Sequence, residues 1–302
     1  MRSITVLSRK LLIGITLNSC FTLFEFLMGY LSGSLSLISD ASHNLADVLS
    51  LCITLFAYKV AQKKPSEYKT YGYGKITILG ALFNGLILIF LAGSLFYESY
   101  ERLWHPHAIE GNLVMIVGFL GILVNGSIAL LFLKERYDLA MRGAFLNMIF
   151  DTLASAGAVC SGLVIALTGY MAIDTLMSGI IGTLLVISSY GLLKEAFHLL
   201  LGGTPQHINT QKITSLIKET AAVVTVSDLH IWALSSEYTA LSCSLTLECN
   251  NLYTCAKIVK ELKTKIIEQH RIHHITIEVQ PATLLILNKE FNCCLINEVK
   301  KV

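Results

Sequence analysis

Six long apolar stretches fill the first two thirds of the chain and leave it one class of fold. They run over about 11–31, 36–58, 76–97, 112–133, 143–168 and 173–192. Each is close to the roughly 20 residues an α-helix needs to cross a bilayer. Backbone placed in hydrocarbon must satisfy its own hydrogen bonds, and a helix does so within one segment. Only 15% of the 302 residues are charged, against about 25% for an ordinary soluble protein. The first stretch is too long for the apolar region of a cleaved signal peptide, and no small-residue cleavage site precedes the second. The short Leu31-Ser-Gly-Ser-Leu35 segment reads as a tight turn between spans one and two.

Basic residues set the orientation. Loop two–three holds Lys59, Lys63, Lys64, Lys69 and Lys75, and loop four–five holds Lys134, Arg136 and Arg142. Loop three–four offers Arg102 against Glu98, Glu101 and Glu110, whereas the N-terminus carries Arg2, Arg9 and Lys10. The alternation places 59–75 inside, 98–111 outside and both termini in the cytoplasm of a multi-pass protein, with the plasma (inner) membrane as its expected home.

After Lys194 the texture changes, and Gly202-Gly203-Thr204-Pro205 marks a boundary. The expected organisation is a transmembrane transport domain over 1–204 and a cytosolic domain with a C-terminal tail over 205–302. In the latter, 208–221 reads as an amphipathic helix, 223–232 and 238–247 as strands, 252–270 as a second helix and 274–279 as a third strand. That order predicts a small α+β domain of ferredoxin-like type, sized for regulation or dimerisation. The eight cysteines are scattered, with Cys293 and Cys294 adjacent near the end. They do not read as a disulfide framework, and a reducing cytosol around the tail fits them.

The spans contain Glu25, Asp40, Asp47 and Asp151, with Asp174 at the edge of the sixth, and no Lys or Arg. A carboxylate in a bilayer is costly and usually functional. No cation of the spans can neutralise these acids, so the counter-charge must arrive from outside as protons or a bound cation. Asp40 directly follows the turn and is open to reading as a helix N-cap. Glu25 reads as a hydrogen-bonding member of the bundle.

His43 and Asp47 stand four residues apart, and Asn147 and Asp151 repeat that spacing. Residues at i and i+4 share a helix face. Two such helices packed face to face bring together four ligand side chains, the number a tetrahedral site for a divalent transition metal requires. His43, Asp47, Asn147 and Asp151 are therefore the candidate metal ligands.

Other polar marks are weaker. Asn84 and Asn125 lie mid-span and read as interhelical hydrogen-bonders. His105 and His107, flanking Pro106, read as a solvated loop. Tyr71-Gly-Tyr-Gly74 lacks the strand-to-helix frame of a phosphate loop, which speaks against nucleotide binding. There is neither a His-Glu-x-x-His motif nor a nucleophile elbow, so an enzyme has no support. No resident cofactor or nucleic-acid partner is expected.

Several stretches resemble the cation diffusion facilitator family of proton-coupled zinc and manganese exporters. They are Ser34-Leu-Ser-Leu-Ile-Ser-Asp-Ala-Ser-His-Asn-Leu-Ala-Asp47, Tyr71 through Asn84, Asp151 with its surroundings, Leu193 through Pro205, and Asp228-Leu-His-Ile-Trp232. The resemblance covers nearly the whole chain. It implies a homodimer with six spans and a ferredoxin-like cytosolic domain. It also implies a transport site built by spans two and five, with His43, Asp47 and Asp151 in the ligand roles. Three departures stand out. Zinc-type members usually show His where Asn147 stands. They usually carry His where Ser227 and Ser244 stand in the tail, which puts a cytosolic metal site in doubt. The short Lys134-Glu-Arg-Tyr-Asp138 replaces a His-rich loop.

The resulting expectation is an exporter of divalent cations by proton antiport with alternating access. Zinc leads, and manganese, iron or cobalt are the alternatives. The rival from another class is a membrane metal sensor that binds without turnover.

Overall fold

The computed structural model describes residues 4–32, 35–104, 111–168, 172–249 and 251–281. The expectations for His105, His107, Glu110, Cys293 and Cys294 fall outside them.

Six helices long and apolar enough to cross a membrane make up the first unit: α1 (Ile4–Ser32), α2 (Leu35–Ala61), α3 (Lys75–Trp104), α4 (Gly111–Phe132), α5 (Leu139–Thr168) and α6 (Ala172–Leu200). A short 3-10 turn, Leu133–Glu135, follows α4. All four prolines, at 65, 106, 205 and 281, lie outside these helices, so no backbone donor is lost within them. Several helices outrun their apolar stretches and carry Arg9, Lys10, Lys194 and His198 on their ends. The helical hydrogen-bond ladder has no reason to stop where the lipid does. Asp40 is the sixth residue of α2, not a cap at its start, because the helix already begins at Leu35.

Small residues let the helices approach closely, as expected where packing rather than hydrophobicity joins them. A Cβ added at Gly85 of α3 would lie 2.7 Å from Leu193 Cδ2 of α6. One added at Gly143 of α5 would lie 3.1 Å from Asn84 Cβ. Asn84 is fully buried and uses both ends of its amide. Ser50 Oγ donates to its Oδ1 at 3.1 Å, and its Nδ2 donates to Thr54 Oγ1 at 2.7 Å, tying α3 to α2. At the helix ends nearest the 62–74 and 133–138 connections, polar ties replace apolar packing. Lys10 Nζ meets Glu135 Oε1 at 2.7 Å, Arg142 meets Glu195 at 2.8 Å, and the Tyr58 hydroxyl donates to Asp138.

The second unit begins at His198, the first ending at Phe197. It comprises α7 (Thr210–Lys218), β1 (Val223–Ala233), β2 (Thr239–Leu247), α8 (Leu252–His270) and β3 (His274–Pro281). The sheet order is β1-β2-β3, antiparallel between the first two and parallel between the last two. Ile213 and Ile217 of α7 and Leu262 and Ile266 of α8 share one core with Leu241, Cys243 and Leu245 of β2. Asn209 and Asn251 cap the two helices through Lys212 N and Thr254 N. The Asn209 cap starts α7 two residues later than its amphipathic pattern predicts.

One cysteine expectation is corrected. Cys249 and Cys255, on either side of the start of α8, are joined as a disulfide, with Cα atoms 5.9 Å apart.

Replacing Asn84 by Ala should strand Ser50 and Thr54 in the bundle. Interhelical hydrogen bonds in membranes are worth about 0.6–1.7 kcal/mol, so the purified Asn84→Ala protein should unfold measurably earlier in a detergent thermal-stability assay.

Candidate metal centre

The i, i+4 pairs of α2 and α5 face each other across the bundle. Asp47 and Asn147 are 2% and 1% exposed. Asn147 Nδ2 donates to Asp47 Oδ1 at 2.8 Å, a bond between residues a hundred positions apart. Asp151 lies one turn on from Asn147 along α5 and borders the same cavity. Asn147 Oδ1 and Asp151 Oδ2 are buried and have no hydrogen-bond partner. His43, half-buried one turn from Asp47, lines the same cavity of about 200 Å³.

All four sequence-predicted residues therefore border one cavity. They do not close tightly on a point. Among the described residues, no three His, Cys, Asp or Glu side chains are arranged as a ready-made metal cage. Part of the donor set is instead turned inward, Asp47 to Asn147. A cation entering here would exchange that internal bond for its own coordination.

The cavity also holds residues that the spacing argument missed. Asn44, next to His43, donates through Nδ2 to Glu25 of α1, which is 3% exposed. Glu25 is thus a hydrogen-bonded member of the bundle, and its donor comes from the helix that carries the candidate ligands. An acid without a cation needs such a donor, which is the signal that could have drawn attention to Asn44. Asp40 borders the cavity as well.

What this cavity can do chemically follows from its donors. It offers one imidazole, carboxylate oxygens and amide oxygens, enclosed by six lipid-length helices. A divalent cation would supply the charge the acids lack.

Residues 11–201 match the family described as cation efflux transmembrane domain, and 205–282 match cation efflux protein, cytoplasmic domain, the ZT dimer family. The chain belongs to the cation efflux family. That family, the cation diffusion facilitators, consists of transporters, so the chain is a multi-pass membrane transporter with a cytoplasmic C-terminal domain and not an enzyme. Among its relatives is a cadmium, cobalt and zinc/H(+)-K(+) antiporter of Bacillus velezensis, 34% identical over 91% of this chain and 88% of that one. A metal cation efflux system protein of Cupriavidus metallidurans is 33% identical over 91% and 87%. A zinc transporter of Escherichia coli is 27% identical over 90% and 87%.

In the cytoplasmic domain, Ser227 and Ser244 face each other across β1 and β2, and Ser244 Oγ donates to Glu278 Oε2 at 2.6 Å. Hydroxyls stand where the resemblance leads one to expect imidazoles, and that of Ser244 is already hydrogen-bonded. His230 Nε2 lies 2.8 Å from Asp228 Oδ1 on the exposed side of β1. His273 stacks on Tyr238 with centroids 4.6 Å apart, and its Nδ1 accepts from Thr239 N at 3.4 Å.

The isolated domain from residue 206 onward should fold without stoichiometric zinc, as elemental analysis of the purified fragment would reveal. Burial lowers the His273 pKa from its ordinary value, with nearby His207 adding to it. The unfolded chain then binds the proton more readily than the fold does. Stability present above the ordinary pKa of 6.5 should decline as pH falls below it. Thermal melts of the fragment should show that decline, and His273→Gln should flatten it.

Proposed function

We propose that this chain exports divalent transition-metal cations, zinc foremost, in exchange for protons. The observation that carries the reading is the Asp47–Asn147–Asp151 cluster: two acids and an amide on facing helices of a cation efflux protein, with Asp47 and Asn147 buried and with Asn147 Oδ1 and Asp151 Oδ2 left without a partner. The relatives described as zinc, cobalt and cadmium transporters support the choice of cargo.

The mechanism follows from charge. His43, Asp47, Asn147 and Asp151 supply one nitrogen and three oxygen donor groups. With both acids ionised their charge of −2 balances a divalent ion. A metal binds ionised carboxylates and neutral imidazole, so its entry expels protons. When the site opens to the opposite side, protons compete for the same atoms and release the metal. Imidazole is suited to this trade because its charge changes near neutral pH. The gradient of protons drives the cycle. Homodimerisation is part of this reading, supported by the family of the cytoplasmic domain. So is residence in the plasma membrane with both termini cytoplasmic, supported by the basic loops.

Asn147 favours a second cargo. An amide oxygen in place of imidazole favours manganese relative to zinc, because manganese prefers oxygen donors. Iron and cobalt fall between.

The test is uptake into proteoliposomes across a panel of ions with an imposed pH gradient. Asp47→Ala and Asp151→Ala should abolish flux while the proteins still purify as folded species. Near-normal flux in Asp47→Ala would falsify the site. A protein that binds metal but shows no flux under any gradient would be a sensor instead. Asn147→His should raise zinc preference over manganese and steepen the pH dependence near neutrality, since it adds a titrating group. An unchanged preference and pH profile would make Asn147 a bystander.

A further inference from the structure

Asn84 and Asn125 look alike in sequence, each a mid-span asparagine in an apolar helix, yet the structure treats them differently. Asn84 spends both amide ends on Ser50 and Thr54. Asn125 is 2% exposed, and its Oδ1 has no hydrogen-bond partner among the described residues. A buried acceptor left unpaired costs about 1–3 kcal/mol. A helix-bridging role would not leave that oxygen free.

Asn125 borders the same cavity as Asp47, Asn147 and Asp151. Close packing of α4 on α5 brings it there. A Cβ added at Gly126 would lie 3.5 Å from Thr152 Cγ2, and one added at Gly121 would lie 3.0 Å from Ser155 Oγ. Asn125 thus sits within this tight contact, opposite the turn that carries Asp151. Three of the described residues bordering the cavity thus carry a buried oxygen without a partner: Asn125 Oδ1, Asn147 Oδ1 and Asp151 Oδ2.

We propose that Asn125 is a further cation-contacting residue of this cavity and that its amide oxygen sets the choice among divalent ions. The proposal rests on the transport reading above. With His43, Asp47, Asn147 and Asp151 already offering four groups, a tetrahedral zinc ion is complete without Asn125. Cations that take more, and mostly oxygen, ligands are not. Asn125 therefore matters most for manganese and cobalt and least for zinc.

Asn18 of α1 supplies the control. It is fully buried, both its amide atoms lack partners, and it does not border the cavity. Its helix face meets α4, since a Cβ at Gly14 would lie 3.1 Å from Ile128 Cγ2 and one at Gly121 3.5 Å from Phe21 Cζ. If Asn125 served only to hold α4 against α1, losing Asn18 should have the same consequence.

The experiment measures zinc uptake by the full-length protein in proteoliposomes, with manganese and cobalt as competitors. The unaltered protein, Asp47→Ala, Asn125→Ala, Asn125→Asp and Asn18→Ala are compared. Residues supporting a bound metal are worth roughly 10–100-fold in affinity. Asn125→Ala should weaken competition by manganese and cobalt roughly tenfold, with a smaller rise in the zinc KM. Asn18→Ala should leave the ratio of the ions unchanged. Asn125→Asp keeps the shape and the oxygen, adds charge, and should strengthen competition by both ions, which covers the case in which Asn125→Ala does not fold. Unchanged competition in both Asn125 variants overturns the proposal. So does an equal change in Asn18→Ala, or an absence of competition by either ion against the unaltered protein. Zinc uptake that persists in Asp47→Ala, or is missing from the unaltered protein, overturns the transport reading and the proposal with it.

Discussion

Carboxylates in lipid without a cation to neutralise them are the constraint around which the membrane unit is organised. Asp47 and Glu25 each lie enclosed in the bundle, and each takes a hydrogen bond from an asparagine of another helix. Neutral amides are the donors available there, because Lys and Arg are confined to the helix ends. Such donors soften the burial of an acid without cancelling its charge. The site consequently stays electrically open to whatever positive species arrives, which is the property a carrier needs and a purely structural network would remove.

Much of this was legible in the sequence. Apolar length alone marks six helices, because lipid leaves the backbone no alternative. The i, i+4 spacing of His43 with Asp47 and of Asn147 with Asp151 places each pair on one face, and the fold does bring these faces around one cavity. The tail's strands follow from alternation and β-branched residues, and α8 lies where its periodicity puts it. Other features depend on contacts between distant positions and leave no local trace. The Asn44–Glu25 bond joins helices whose rotation the sequence does not specify. Asn84 and Asn125 have equivalent neighbourhoods in the chain, and only the packing of α3 on α2 and of α4 on α5 separates their roles. Asp40 looked like a cap because the turn before it is short, whereas α2 begins five residues earlier.

Asn147 shows how one substitution can serve two ends. Its Nδ2 holds Asp47 in place, while its Oδ1 remains free at the other end of the same rigid plane. The amide does not titrate in the physiological range, so in the proposed cycle it is not among the groups that exchange protons.

The ties at the cytoplasmic helix ends have an energetic consequence. Lys10–Glu135 and Arg142–Glu195 are partly solvated, with side-chain exposures of 21% and 7% and of 40% and 18%. Exposed ion pairs contribute only about 0–1 kcal/mol each and weaken further with salt. The apolar contacts beside them are of another kind: Gly85 against Leu193 and Gly143 against Asn84 leave little room for a methyl group to intervene. The same helix ends therefore combine close-packed contacts that salt leaves untouched with ion pairs that salt weakens. Of the two, only the ion pairs answer to the ionic strength of the solution bathing them.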